Sequence, residues 1–301
     1  MYYYSFSQYL KKRFGEKVWR ISLNAGFSCP NRDGAISTHG CIFCNEFGFS
    51  KWPKKTVSLQ EQIGLGIAGS KKQFGTRKVI AYFQNGAGTN ADTEDLRNAY
   101  RVINNYPEVV GLSISTRPDC IDEEKLDMIA GFSKKYDVWI EYGVQTIHEN
   151  TLKRMNRGHT FLDSLEAIKM TASRGIKVGA HIILGFPGET DEDMTRTAEE
   201  ITRLPVAGVK LHVLHVLKNT KLSEVYGKNQ VNLLTRKEYV KIVCDFLERL
   251  KKDCVVLRLV SDAAEDYLVA PKWITNKQFT IKDIEAEFDS RGTEQGTLFA
   301  S

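Results

Sequence analysis

Cysteine is scarce, with six residues in a chain of 301. That is too few for the disulfide framework of a small secreted fold and favours metal or redox use in a reducing compartment. Long apolar runs are also missing: no stretch reaches the about eighteen uncharged residues a membrane helix requires, so no membrane partner is expected. The N-terminal MYYYSFSQYLKKRFGEK lacks an apolar segment and carries its basic cluster after its aromatics, the wrong order for a secretory signal. A cytoplasmic location is therefore expected. The chain has no internal repeat, no low-complexity linker, and neither a second CxxC nor an HxxxH half-site.

Acidic residues are sparse at the front. Residues 1–80 hold 13 Lys and Arg against 4 Asp and Glu, a local net of +9 in a chain whose total is +5. The cations include Lys11, Lys12, Arg13, Lys51, Lys54, Lys55, Lys71, Lys72, Arg77 and Lys78, interleaved with Tyr2, Tyr3, Tyr4, Phe6, Tyr9, Phe14 and Trp52. A charge run is ordinarily a solvated face. Surrounding a cysteine segment and mixed with aromatics, it also fits a polyanion such as nucleic acid.

The composition is that of a globular protein, 42% hydrophobic and 26% charged. Apolar runs of strand length occur at 17–24, 77–84, 109–116, 137–145, 177–185, 208–216 and 254–260. They are nearly continuous in Val, Ile, Leu and aromatics, as strands buried on both faces are. Helical patterns separate them. Leu162, Leu165, Ile168 and Ala172 recur at helical spacing before a C-cap at Gly175, and Val240, Val243, Leu247 and Leu250 form another stripe. Thr190 is placed as an N-cap. Alternating strands and helices imply right-handed crossovers and an α/β fold, a partial (β/α) TIM-like barrel, with ligands at the carboxyl ends of the strands. The expected division is a basic, aromatic N-terminal extension over 1–16, a barrel core over 17–260 and a small C-terminal appendage over 261–301.

The segment CPNRDGAISTHGCIFCN places Cys29, Cys41 and Cys44 as C-x11-C-x2-C directly after the first strand. Three readings compete. Structural zinc would need His39 as fourth ligand, but His39 lies only two residues from Cys41, which strains a tetrahedron. A redox dithiol would not need Cys29. An iron–sulfur cluster with three protein thiolates leaves one iron open for an exogenous ligand. The spacing leaves cluster and zinc undecided.

Further motifs occur in order: AYFQNGAGTNAD (81–92), SISTRPDC (113–120), EYGVQTIHENTLKRMNRGHT (141–160) and GAHIILGFPGET (179–190). With the cysteine loop, this series resembles the radical S-adenosylmethionine superfamily, and within it the YhcC/YtqA-type family related to the elongator-type catalytic subunit. The resemblance implies that Cys29, Cys41 and Cys44 ligate a [4Fe-4S] cluster, although the superfamily is better known for a three-residue first spacer. It implies S-adenosylmethionine on the fourth iron, cleaved to a 5′-deoxyadenosyl radical that abstracts hydrogen from a substrate. It also implies an electron donor such as flavodoxin or ferredoxin and, through the elongator-type relatives, a wobble uridine in tRNA as substrate. A small molecule or peptide is the alternative substrate, and a zinc-stabilised tRNA-binding protein the non-catalytic alternative.

The same resemblance assigns cofactor contacts. Glu141, in an otherwise apolar strand, would meet the amino group or ribose, or else pair with Arg117. Gln145 and Arg157 would address ribose and carboxylate, and Gly185, with Pro187 and Gly188, would let backbone approach the adenine. Gln84 follows the second strand where many members carry a GGE-like run. Gln84 and Arg117 complete the expected cofactor-binding set. His181 is expected in the core or near adenine, and Cys120, Cys244 and Cys254 in the core. GLGIAG (64–69) matches a dinucleotide fingerprint but follows a helical pattern and is rejected.

Overall fold

The expected apolar runs become β1 (Val18–Leu23), β2 (Lys78–Phe83), β3 (Val109–Thr116), β4 (Asp137–Gln145), β5 (Lys177–Leu184) and β6 (Gly208–Val213), followed by β7 (Val216–Leu217), β8 (Val255–Arg258) and β9 (Leu268–Ala270). The structure, a computed structural model, describes residues 2–45, 57–261 and 263–299. Seven strands pair in the order β1-β2-β3-β4-β5-β6-β8, each parallel to its neighbours. The helices are α1 (Phe6–Phe14), α2 (Pro30–Asp33), α3 (Leu59–Phe74), α4 (Thr93–Arg101), α5 (Glu123–Ala130), α6 (Glu149–Arg154), α7 (Phe161–Ser173), α8 (Asp191–Arg203), α9 (Lys221–Gly227), α10 (Arg236–Glu248) and α11 (Lys277–Arg291).

Side-chain contacts demonstrate the curl of the sheet. Lys210 on β6 lies 2.7 Å from the Tyr82 hydroxyl on β2, four places away in the strand order. At 4.7–4.9 Å per strand a flat sheet would separate them by about 19 Å. The sheet is therefore a half-barrel with its edges at β1 and β8, as the sequence pattern implied. Alternation along β4 sorts its residues. Tyr142 faces outward, its hydroxyl bonded to Thr171 of α7 at 2.7 Å, while Trp139 and Glu141 face the lumen.

The N-terminal segment closes the lower end of this lumen. Ser5 pairs with Val256 of β8, and Phe6 and Tyr9 of α1 meet Trp139 edge-on at 6.0 and 5.4 Å. Tyr2 stacks on Phe288 of α11 at 5.7 Å. These aromatics thus take part in packing the N-terminal segment onto the fold. Trp52, Lys51, Lys54 and Lys55 lie outside the described residues. At the other terminus β9 pairs antiparallel with β7, and α11 packs on α10.

One helical stripe is corrected at one position. Leu162 is 60% exposed, whereas Ile168 is buried and Leu165 and Ala172 pack against the core as expected; α7 also buries Ser164, Ala167 and Thr171. The stripe on α10 holds, with Val240, Val243 and Leu247 buried, as is Leu250 just beyond it. Thr190 caps α8 through a capping box with Asp193. GLGIAG lies wholly inside α3, where a phosphate-binding turn is impossible.

Candidate functional site

The cysteine loop leaves the carboxyl end of β1 and folds back on itself. Cys29 precedes α2, and Gly40 N–H donates to Asn31 O at 2.7 Å, closing the spacer between the first two cysteines. Asn31 Nδ2 donates to Asn156 O (2.5 Å), and Asn156 Nδ2 donates to Gly40 O (2.7 Å). The Arg32 guanidinium lies against Gly40 and holds the Cys44 carbonyl. Ile42 and Phe43, between the last two cysteines, dock on an apolar cluster of Met155, Ile183, Phe186, Leu214 and Leu222. Ile42 N–H donates to Met155 O, and Leu222 N–H donates to Ile42 O. The CxxC pair is thereby clamped across the mouth, joining the loop after β1 to those after β4, β5 and β6.

Cys41 is the best-defined thiol, 5% exposed. Its sulfur accepts from Arg157 Nη1 at 3.2 Å and from Asn31 Nδ2 at 3.5 Å. Burial pushes the Cys41 thiol up, but Arg157, with help from Arg117 and Asn31, outweighs it and holds the thiol below its ordinary value. Cys44 goes the other way, raised by burial and by the neighbouring Cys41. Cys29, Cys41 and Cys44 are all unpaired thiols.

Arg157 is buried at 6% exposure and ties Cys41 to the end of β4. Its Nη2 donates to Gly143 O (2.8 Å) and its Nε to His159 Nε2 (3.2 Å). His159 is held neutral, its pKa pushed down to about 3 by burial and by Arg157. Its Nδ1 faces Thr160 O at 3.1 Å and so carries the proton, leaving Nε2 as acceptor for Arg157. Gln145 sits just above, with φ +73° where the β4–β5 register shifts. Arg117 ends β3 and grips Asp119 through Nε and Nη2 (2.9 and 2.7 Å), not Glu141. Its Nη1 is buried with no hydrogen-bond partner, as are Asn31 Oδ1 and Asn85 Oδ1.

Gln84 lies on the loop after β2, which packs on the residues leading into Cys29: Ala87 N–H donates to Ser28 O at 3.0 Å. At Gly185 φ is +87°, and an added Cβ would lie 2.8 Å from Leu234 Cδ1, so a side chain already covers that glycine. Arg117, Gln145 and Arg157 are thus brought together around the cysteine loop, with Gln84 on the adjoining wall.

Glu141 is elsewhere. It is 0% exposed in the lumen, its oxygens accepting from Ser113 Oγ (2.6 Å), Tyr82 Oη (3.1 Å), His181 Nε2 (2.8 Å) and Lys210 Nζ (3.2 Å), with Arg20 Nη1 at 2.9 Å. Burial pushes this carboxyl up, but Arg20, Lys210 and His181 outweigh it and hold it well below the usual range. Burial lowers Lys210 to about 7 and His181 to about 4. The expected pairing of Glu141 with Arg117 does not form. Neither Arg20 nor Lys210 was singled out from sequence; the signal was available, since each is a lone charge within an apolar strand.

The basic front of the chain also divides. Lys11, Lys12 and Arg13 end α1, Lys71 and Lys72 end α3, and Arg77 and Lys78 open β2. Lys78 Nζ reaches Phe14 O and Glu16. A crossover helix runs antiparallel to its strands, so these cations share the amino end of the sheet, opposite the cysteines.

Among the described residues no three His, Cys, Asp or Glu converge tightly enough to hold a single metal ion. A multi-iron cluster spreads its thiolates over separate irons and demands less convergence. Three free thiols, two N–H donors on one sulfur and an orphaned guanidinium nitrogen beside them fit an anionic, sulfur-ligated group.

Comparison with known proteins agrees. The Radical SAM superfamily profile matches residues 34–201, and the Radical_SAM C-terminal domain profile matches residues 206–290. The chain is 39% identical to Uncharacterized protein MJ0486 of Methanocaldococcus jannaschii (98% of this chain, 93% of that one) and 35% identical to Uncharacterized protein YtqA of Bacillus subtilis (99% and 92%). A shorter stretch, 44% of this chain and 25% of its relative, is 30% identical to tRNA uridine(34) acetyltransferase of Methanocaldococcus jannaschii. Among solved structures the fold matches an archaeal Elp3 of Methanocaldococcus infernus with TM-score 0.68 at 18% identity, over 92% of this chain but 64% of that one. The chain belongs to the Radical SAM superfamily and is a radical S-adenosylmethionine enzyme, of a family that works with a [4Fe-4S] cluster and S-adenosylmethionine.

Proposed function

We propose that Cys29, Cys41 and Cys44 hold the [4Fe-4S] cluster at the mouth of the half-barrel and that the substrate is a wobble uridine of tRNA. The observation that carries the ligand reading is the Cys41 cradle: a buried thiol, lowered by Arg157, with a partnerless Arg117 Nη1 beside it. When bound, the cluster supplies the electron that cleaves S-adenosylmethionine to the radical that takes hydrogen from the substrate. The protein's part is to hold and orient. Arg117 Nη1 offers an unspent donor to an anionic group such as a carboxylate. Asn85 Oδ1 offers a buried acceptor to an ammonium or hydroxyl. Ile42, Phe43 and the apolar cluster beneath them keep water from one side of the mouth.

The tRNA assignment draws on the partial similarity to a tRNA uridine(34) acetyltransferase. A small molecule or peptide is the second reading, favoured by the position of the described basic residues at the opposite end of the sheet. Anaerobic reconstitution tests the ligands: a brown protein is expected, and Cys44→Ala should lose the colour and most of the iron. A colourless protein with stoichiometric zinc would overturn the reading. Comparing modified nucleosides of tRNA with and without the protein tests the substrate; an unchanged wobble-uridine profile moves the assignment to the second reading.

A further inference from the structure

The three thiols do not stand in equal surroundings. The Cys44 thiol is addressed by a single side chain, Arg32, whose guanidinium also holds the Cys44 carbonyl, while two N–H donors converge on the Cys41 sulfur. The stronger donor is a buried guanidinium whose other nitrogens are fixed on Gly143 O and His159 Nε2. Gly143 is what admits it, because an added Cβ would lie 3.0 Å from Arg157 Nη2 and 2.8 Å from Gln145 Nε2. Positive charge and hydrogen bonds at a thiolate stabilise the more negative, reduced state of a cluster, and burial leaves that effect unscreened.

We infer that Arg157 is a positioning residue that raises the reduction potential of the cluster through the Nη1–H···Sγ bond to Cys41, with Asn31 as the weaker second donor. The inference rests on the reading of Cys29, Cys41 and Cys44 as cluster ligands. It gives Arg157 a role in the electron-accepting step in place of the ribose or carboxylate contact expected from sequence. Neutral His159 serves it by accepting from Nε and so setting the plane of the guanidinium.

The test is a redox titration with dithionite, followed by electron paramagnetic resonance, on anaerobically reconstituted full-length protein, with iron and sulfide counted for each variant. Arg157→Gln should load a full cluster whose midpoint is at least 59 mV more negative, equivalent to a tenfold smaller reduced-to-oxidised ratio at a given potential. Arg157→Lys, which keeps a cationic donor, should shift it less. A loaded Arg157→Gln protein with the parent midpoint and resonance spectrum overturns the inference. Should Arg157→Gln not load, Gly143→Ala, which displaces the guanidinium without removing it, is decisive: a negative shift supports the role and an unchanged midpoint refutes it. A parent protein that takes up no iron overturns the ligand reading and this inference with it, a failure distinct from an unshifted midpoint.

Discussion

Replacing Glu141 with Gln removes the carboxylate that Arg20 and Lys210 share in the lumen. Five groups on five strands touch its two oxygens: Arg20, Tyr82, Ser113, His181 and Lys210. Gln keeps the shape and one acceptor but loses the charge. Lys210, already near pKa 7, can shed its proton when its anion is gone, but Arg20 cannot. A buried charge left without its partner costs about 3–5 kcal/mol. Arg20 retains the rings of Phe6 and Tyr82, 4.4 and 4.6 Å from its guanidinium carbon, so the lower end of that range, about 3 kcal/mol, is expected. Guanidinium denaturation at pH 8, followed by circular dichroism and by fluorescence of Trp139 beside the site, measures it. Lys210→Met in the Glu141→Gln background should cost about 1 kcal/mol less than in the parent, because the partner it served is gone. A loss below about 1 kcal/mol for Glu141→Gln, or additivity within about 0.5 kcal/mol in the double variant, refutes the view that this carboxylate anchors the lumen.

Three further predictions concern the same fold. Lys210 titrates near 7 when folded against 10.5 in the open chain, so the unfolded state binds more protons between these values and the lysine's contribution to stability rises with pH across that window. The stability difference between the parent and Lys210→Met should therefore grow from pH 7 to pH 9.5, and a flat difference would contradict the assignment. Glu141 has the usual carboxylate sign: its contribution is complete above the ordinary glutamate value of 4.5 and fades as acid protonates the folded site, so the gap between parent and Glu141→Gln should narrow below about pH 4. Gly185→Ala meets both a φ of +87° and Leu234, and should lose about 1–2 kcal/mol of stability; Leu234→Ala in that background should return part of it, and an unchanged melting temperature for Gly185→Ala would remove the strain argument.

The half-barrel was legible because strands buried on both faces are written as apolar runs, and all seven runs fell within a few residues of observed strands. Of the stripe on α7 only Leu162 departs, because hydrophobicity alone does not show which polar residues a helix buries. That helix buries the small polar Ser164 and Thr171, which satisfy their hydroxyls on Thr160 O and Tyr142, and leaves Leu162 in water. Glu141 was recognised as a carboxylate in need of partners, but those partners come from strands up to three places away, a proximity created only when the sheet curls. For Arg157 the resemblance implies a ribose or carboxylate contact, and nothing in the sequence announces its hydrogen bond to the Cys41 sulfur. Nearness in sequence to the cysteines does not say which end of a strand a residue occupies, and a 6-residue β1 separates Lys11, Lys12 and Arg13 from the cysteine loop.

The closed spacer of the cysteine loop has a consequence for how such motifs are counted. Because Gly40 N–H bonds Asn31 O, the path from Cys29 to Cys41 through that backbone hydrogen bond runs Pro30, Asn31, Gly40, three residues rather than eleven. Residues 32–39 hang outside that path as a bight of chain, pinned at its neck by Asn156. The backbone neck therefore joins the first two cysteines by a shorter route than the one the printed sequence displays. A bight of this kind can lengthen at only about 0.6 kcal/mol per doubling without moving the atoms at its neck. Cysteine spacing here is a property of the neck, and a search by fixed intervals along the chain measures the rope instead of the knot.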